Sequence, residues 1–376
     1  MKATLSFSST LLLIILSALG GLLLSSLGMS IGWMIGTLIV ATTLAITRPQ
    51  FLKVPSNSKG MPKVWLYIGQ LILAIELGQQ INLTVVSTFV DNWLPVSIIL
   101  LISILFSLGS GFILFKFTSN DLLTSLFSTA PGGLSAMPGI AEEVGANTAT
   151  VSVVQIMRVF LVVLTVPLLV SSLGEQATVA APSEAAFSFS LESVSWTFVL
   201  VFAAFIGYLI GKRFKFPAPW LVGGMLTVGI MQVAGSAIAG YNLTAWWPHL
   251  VLIIAQVIIA TSIGSRFHAD MFQGMKRTIG VAFISTIVLI GTMFLCAYII
   301  SEVGGIPFIT TALAFAPGGV AEMATTSVVL GADAPFVVAV QVFRILIVSL
   351  LLPPIFRWFY QVGEQKVHAH AKVQER

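Results

Sequence analysis

Apolar runs long enough to cross a lipid bilayer recur from one end of this chain to the other, and nothing constrains its fold more. A hydrocarbon core about 30 Å thick takes about 20 residues of helix to span. Of the residues, 57% are hydrophobic and only 9% charged, where an average soluble domain carries about 25% charge, so a water-soluble fold could not hide the apolar surface. The reading is therefore an all-α polytopic membrane protein, one membrane domain over residues 1–376, with the lipid bilayer as its first partner. Lys2 and the apolar run from Leu11 have the outline of a cleaved signal peptide. That run has a counterpart in the second half of the chain, so it is read as a first transmembrane helix.

Two breaks interrupt the pattern. Ala130-Pro131-Gly132-Gly133 and Ala316-Pro317-Gly318-Gly319 each split an apolar segment, and each precedes a Gln-x-x-Arg set deep in the next one, Gln155 with Arg158 and Gln341 with Arg344. The periodicity predicts helices over about 8–27, 30–46, 64–81, 94–115 and 148–171, then over about 194–211, 218–232, 249–265, 278–300 and 335–356. Between the fourth and fifth lie two short pieces, about 121–129 and 134–144, each half the length a crossing needs. Gly28, Gly32 and Gly36, spaced by four, read as one helical stripe against which a neighbour packs.

The halves align at a constant offset of 186 residues. Pro62 falls on Pro248, Gln70 on Gln256, Gly145 on Gly331, Gln155 on Gln341, Arg158 on Arg344 and Pro167 on Pro353. A duplicated unit follows, with a first repeat over 1–172, an acidic linker over 173–193, a second repeat over 194–356 and a tail over 357–376. The loop charges bear on topology. If each broken segment crosses the membrane, twelve crossings form two parallel repeats, and Lys212, Arg213 and Lys215 fall outside. If each dips in and returns, the halves are inverted repeats of five transmembrane helices, each with a re-entrant Pro-Gly-Gly hairpin. The loop with Arg48, Lys53, Lys59 and Lys63, the 212–215 cluster, Arg266, Lys276, Arg277 and both termini then lie in the cytoplasm, and the linker with Glu175 and Glu184 lies outside. The second arrangement obeys the positive-inside rule and is the expected one.

Interrupted helices in inverted repeats are a transporter architecture. Proline removes a donor and glycine opens backbone conformations closed to other residues, so the break leaves polar groups that lipid cannot satisfy. Arg158 lies about ten residues into its helix, roughly 15 Å deep at 1.5 Å per residue, and Arg344 is at the matching depth. An arginine there must face a partner or water. Gly132, Gly133, Gln155 and Arg158 with Gly318, Gly319, Gln341 and Arg344 are thus the candidate substrate-binding residues. Glu76, Glu322 and Glu142 are candidates for proton coupling or for ion pairs that merely fix the packing. The carboxylates are not duplicated: Glu76 falls on Ser262 and Glu322 on Ala136.

No metal or other cofactor is expected. The single cysteine, Cys296, sits in an apolar run, and the histidines, His249, His268, His368 and His370, stand at a helix start, in a loop and in the tail. No phosphate-binding or nucleophile motif is present, and no stretch could form a DNA reader, so neither a catalytic residue nor a nucleic-acid partner is expected.

The duplicated Ala-Pro-Gly-Gly with its downstream Gln-x-x-Arg, together with the Pro-x-Pro-Trp-Leu-x-Gly at Pro217 to Gly223, resembles the AbrB-type family of bacterial inner-membrane proteins over about Leu11 to Phe356. The resemblance implies a multi-pass protein of the bacterial inner membrane and a regulatory effect on gene expression. Many members carry an ammonia monooxygenase label, which fits poorly with the missing metal ligands. The expected function is secondary transport of a small anionic or zwitterionic metabolite, not enzymatic. A membrane-embedded regulator is the alternative. The substrate, and whether the protein forms a homo-oligomer, are left open by the sequence.

Overall fold

A computed structural model of the chain describes residues 5–29, 31–52, 60–81, 93–131, 145–173, 190–214, 218–241, 243–267 and 274–348, with positions 137, 141, 216 and 272. Gly132, Gly133 and Glu142, with most of the second short piece predicted after the first break, lie outside the described residues, as do 174–189 and everything beyond 348.

The described residues form α-helices joined by turns. In chain order these are α1 (Phe7–Ser26), α2 (Gly32–Thr47), α3 (Lys63–Gln79), α4 (Trp93–Phe117), the short α5 (Leu122–Thr129) and α6 (Thr148–Leu173). The second half gives α7 (Leu191–Arg213), α8 (Pro219–Ala239), α9 (His249–Gly264), α10 (Lys276–Gly304), the short α11 (Phe308–Phe315) and α12 (Val320–Val329), and α13 (Ala334–Val348). Six of them, α1, α4, α6, α7, α8 and α10, are long and apolar enough to cross a membrane, which makes this a multi-pass membrane protein. Leu23, Leu105, Phe202 and Ile284 are each at least 60% exposed on the outer faces of four of these helices, a surface that suits lipid and not water.

Boundaries moved where local chemistry outweighed the apolar pattern. Helix α7 begins at Leu191, earlier than expected, because the Ser190 hydroxyl accepts from the Ser193 N–H at 3.0 Å and caps it. Helix α8 runs on to Ala239, past the expected end, until Gly240 turns left-handed. Gly28 is not on the glycine stripe but in the turn after α1, at φ +85°. Gly32 and Gly36 do face α1, and Gly36 comes so close that a Cβ there would lie 2.1 Å from the Gly20 carbonyl oxygen. Helices α7 and α8 repeat this contact, a Cβ on Gly223 falling 2.2 Å from the Gly207 oxygen.

The helices pack in two groups. In one, α1 pairs with α2 and α7 with α8, while α3 packs on α8 and on α9, and α9 on α2. In the other, α4 lies against α10, α5 against α4 and α6, and α11 against α10 and α6. Helix α12 and helix α6 join the groups, α12 touching α3 and α9 and α6 touching α9. Some 67% of the most apolar 18-residue stretch of α6 is buried, against 28% in α1 and in α7, so α6 is central and α1 and α7 are exposed flanks. A continuous apolar core runs from Leu38 and Leu73 through Val162 and Ile259 to Leu313, Met323 and Val337.

Candidate functional site

The short helices α5 and α11 both stop in mid-fold, one residue before Ala130-Pro131 and Ala316-Pro317. A helix end leaves its last carbonyls without donors, and in an apolar interior each must find one. Here the donors come from the next long helix. Gln155 Nε2 donates to the Phe127 carbonyl at 3.0 Å and to that of Ala130 at 2.9 Å. Arg158 Nη1 donates to Thr129 at 2.6 Å and Ala130 at 3.2 Å, and its Nη2 to Gln155 Oε1 at 2.8 Å.

The same wiring recurs 186 residues on. Gln341 Nε2 donates to the Leu313 carbonyl at 3.0 Å and to Ala316 at 3.1 Å. Arg344 Nη1 donates to Ala316 at 2.7 Å and Nη2 to Gly318 at 2.9 Å, and Nη2 also reaches Gln341 Oε1. All four side chains are at most 5% exposed. Each guanidinium therefore caps a helix C-terminus, whose partial negative charge offsets only about half of its own. Among the described residues the Nε of Arg158 and the Nε of Arg344 have no hydrogen-bond partner. Both arginines thus keep net positive character inside the fold.

The entry to each broken segment is pinned as well. Thr124 Oγ1 accepts from the Asn147 N–H at 2.9 Å, and Thr310 Oγ1 from the Asp333 N–H at 3.1 Å. Asn147 Oδ1 then caps α6 through the Thr150 N–H at 3.1 Å, and Asp333 Oδ1 caps α13 through the Phe336 N–H at 3.0 Å. Burial holds the Asp333 carboxyl above the usual aspartate range, although the Phe336 N–H pulls it back.

The two breaks meet. Pro131 and Pro317 line one cavity with Arg344, Ser103 and Ser107 of α4, Leu289 and Met293 of α10, and Phe315. Its volume is about 10 Å³, room for about one water molecule. Ser107 donates its hydroxyl to the Thr129 carbonyl, the acceptor that Arg158 also uses. Chemically this is a small pocket with one guanidinium, two hydroxyls and apolar side chains.

The family model described as "Transition state regulatory protein AbrB" matches residues 33–360 of the chain. The chain belongs to the AbrB family of membrane proteins. It is similar to the protein YhjN of Bacillus subtilis (strain 168), 51% identical over 360 residues that cover 94% of each chain. A protein of Escherichia coli (strain K12) named "Putative regulator AbrB" is 26% identical over 344 residues, 90% of this chain and 95% of that one.

In this AbrB-family chain the carboxylates stand apart from the arginines. Glu76 is half-buried on α3, where its Oε1 accepts from Gln80 Nε2 at 2.9 Å. Glu322 is 7% exposed in the first turn of α12. Neither is hydrogen-bonded to Arg158 or Arg344, whose partners among the described residues are carbonyl and amide oxygens. No group of three or more His, Cys, Asp or Glu among the described residues could hold a metal ion. Sequence reasoning did not single out Ser103 and Ser107, although two serines four apart in a 25-residue apolar helix mark one polar stripe. The Thr124–Asn147 and Thr310–Asp333 tethers carried no such signal, because threonine is common in membrane helices.

Proposed function

We propose that this AbrB-family protein is a secondary transporter of a small anionic or zwitterionic metabolite, with the two Pro-Gly-Gly breaks and Arg344 at its binding site. The observation that carries the reading is the shared cavity: two breaks 186 residues apart in sequence contribute Pro131 and Pro317 to the same pocket, beside a buried guanidinium. Broken helices whose loose polar groups converge on a buried site are what alternating access uses. Two arginines without a carboxylate hydrogen-bond partner among the described residues favour an anion as the missing counter-charge.

The breaks are read as re-entrant hairpins in inverted repeats of five spans, with Gly132 and Gly133 at the first tip and Gly318 and Gly319 at the second. The recurrence of the Gln-Arg wiring at the sequence offset supports that reading, as does the pairing of α3 with α8 against α9 with α2. In this picture both chain ends are cytoplasmic, and the group that holds α5, α6, α11 and α13 moves against the group built on α1, α2, α7 and α8.

The test is flux in proteoliposomes that hold the purified protein, with radiolabelled acetate, lactate, glutamate and succinate supplied singly. Uptake of at least one, lost in Arg344→Ala while the variant still elutes as a folded species, is the expected result. No flux for any, with wild-type protein shown to be folded, would sink the proposal. A second reading, a membrane regulator acting indirectly on gene expression, draws on the name of the Escherichia coli relative. A transporter that sets a metabolite level produces the same phenotype, and Arg344→Ala should then abolish both flux and regulation.

A further inference from the structure

The second break is gripped from two sides, by two charged groups of opposite sign. Arg344 Nη2 holds the Gly318 carbonyl at 2.9 Å. On the next residue, Gly319, the carboxylate of Glu322 is folded back so closely that a Cβ built there would lie 2.0 Å from Glu322 Oε2. Gly319 is the N-cap of α12, and no side chain caps that helix from the N-cap position. The Glu322 carboxylate, three residues on from Gly319, lies over the start of the helix instead and accepts from its own backbone N–H. That N–H and the positive helix end favour the ionised carboxylate over the neutral acid.

The surroundings make this balance sensitive. Glu322 is 7% exposed, and its neighbours in sequence, Ala321, Met323 and Ala324, belong to the apolar core. Charge in such a place is held only by specific local contacts. Helix α12 packs against α3, α6, α9 and α11. Their titratable and charged side chains are Lys63, Tyr67 and Glu76 on α3, Arg158 on α6, and His249 on α9 with Arg266 just past its end, while α11 has none. The field of Arg266 reaches the Glu322 carboxylate. The first half of the chain has alanine at the equivalent position, Ala136.

We propose that Glu322 is the proton-carrying group of the transport cycle, so that one proton accompanies the anion per turnover. This rests on the transporter reading above. The carboxylate takes a proton from water on one side of the membrane and returns it to water on the other, with no bond to substrate formed. The neutral acid loses its hold on the α12 N-terminus, and an anion on Arg344 competes with the Gly318 carbonyl for the guanidinium. Both events act on the Gly318-Gly319 link, which is how proton and anion become coupled. Alanine at the equivalent position of the first half, Ala136, leaves one acid at this place in the repeat, and one proton per turnover follows.

The experiment uses full-length protein in proteoliposomes and the same four radiolabelled acids. Wild-type uptake should rise several-fold under an inward proton gradient. Glu322→Gln should keep exchange of internal for external label but lose the gradient response, and Glu322→Asp, which restores an ionisable group, should regain part of it. Glu76→Gln should respond like wild type. Uptake in wild type that ignores the gradient, or a gradient response that survives in Glu322→Gln, overturns the proposal and leaves the transporter reading standing. Absence of any flux in wild type overturns both.

Discussion

Arg344 and Ala316 are joined by a 2.7 Å hydrogen bond from the guanidinium to the main-chain carbonyl, and Ala316 is the residue just before the second proline. Part of the buried charge is thereby taken up by the backbone of a broken helix. Arg344→Ala leaves the Gly318 carbonyl without its donor and Ala316 with Gln341 alone, and a buried carbonyl left unpaired costs about 1–3 kcal/mol. Arg344→Lys keeps the charge but offers a compact ammonium in place of a planar fork, so it should recover only part of the loss. Denaturant unfolding in detergent, followed by tryptophan fluorescence, reads the difference.

The turn before α13 should make stability depend on pH. Burial raises the Asp333 carboxyl above its unfolded value, so its contribution is fully present below the unfolded pKa and is lost as pH rises through the folded one. Asparagine, which occupies the equivalent position as Asn147, keeps a capping oxygen and cannot ionise. Asp333→Asn should therefore flatten the pH dependence of the melting temperature through the carboxylate range without removing the cap to Phe336. An unchanged profile would show that Asp333 does not contribute.

Helix pairing at glycine is a separate test. Gly36→Ala and Gly223→Ala each press a methyl group onto a backbone carbonyl that cannot rotate away, and overpacking of this kind costs about 1–3 kcal/mol. Gly291, also helical but with nothing within 4 Å of a new Cβ, is the control. Gly291→Ala should be neutral or stabilising, by up to about 1 kcal/mol. Equal losses at all three positions would refute the close approach.

The contact between Gly319 and Glu322 can be measured as a coupling. Gly319→Ala should cost more with Glu322 in place than in a Glu322→Ala background, where the clash is gone. A double-mutant cycle on unfolding free energy should give an interaction of about 0.5–3 kcal/mol. Strict additivity would place the carboxylate elsewhere.

Much of this was legible beforehand, for reasons that differ by residue. Long apolar helices announce themselves because lipid demands length, and the 25 residues of α4 could hardly be read otherwise. The Gln-x-x-Arg pairs were conspicuous because polar side chains are costly at that depth. Their partners were not, since a carbonyl belongs to every residue and leaves no mark in the sequence. That is why Glu76 and Glu322 drew attention as mates for the arginines, while the carbonyls of Thr129, Ala130, Ala316 and Gly318 took that role. Helix ends moved for a similar reason, as one serine hydroxyl at Ser190 outweighed a hydropathy pattern.

On the short arms, the Gln-Arg pairs grip main-chain oxygens. Such a latch does not depend on which side chains the short arms display, so Thr129 or Phe315 could be exchanged for residues of like bulk and the arm would still be held at the same height. The helices that face the tip can then be altered one position at a time, at Ser103, Leu289 or Met293, with the frame that positions them left intact. The wiring fixes both the frame of the pocket and its one guanidinium, and a designer wishing to reshape the pocket would leave Gln341 and Arg344 alone and begin with α4 and α10.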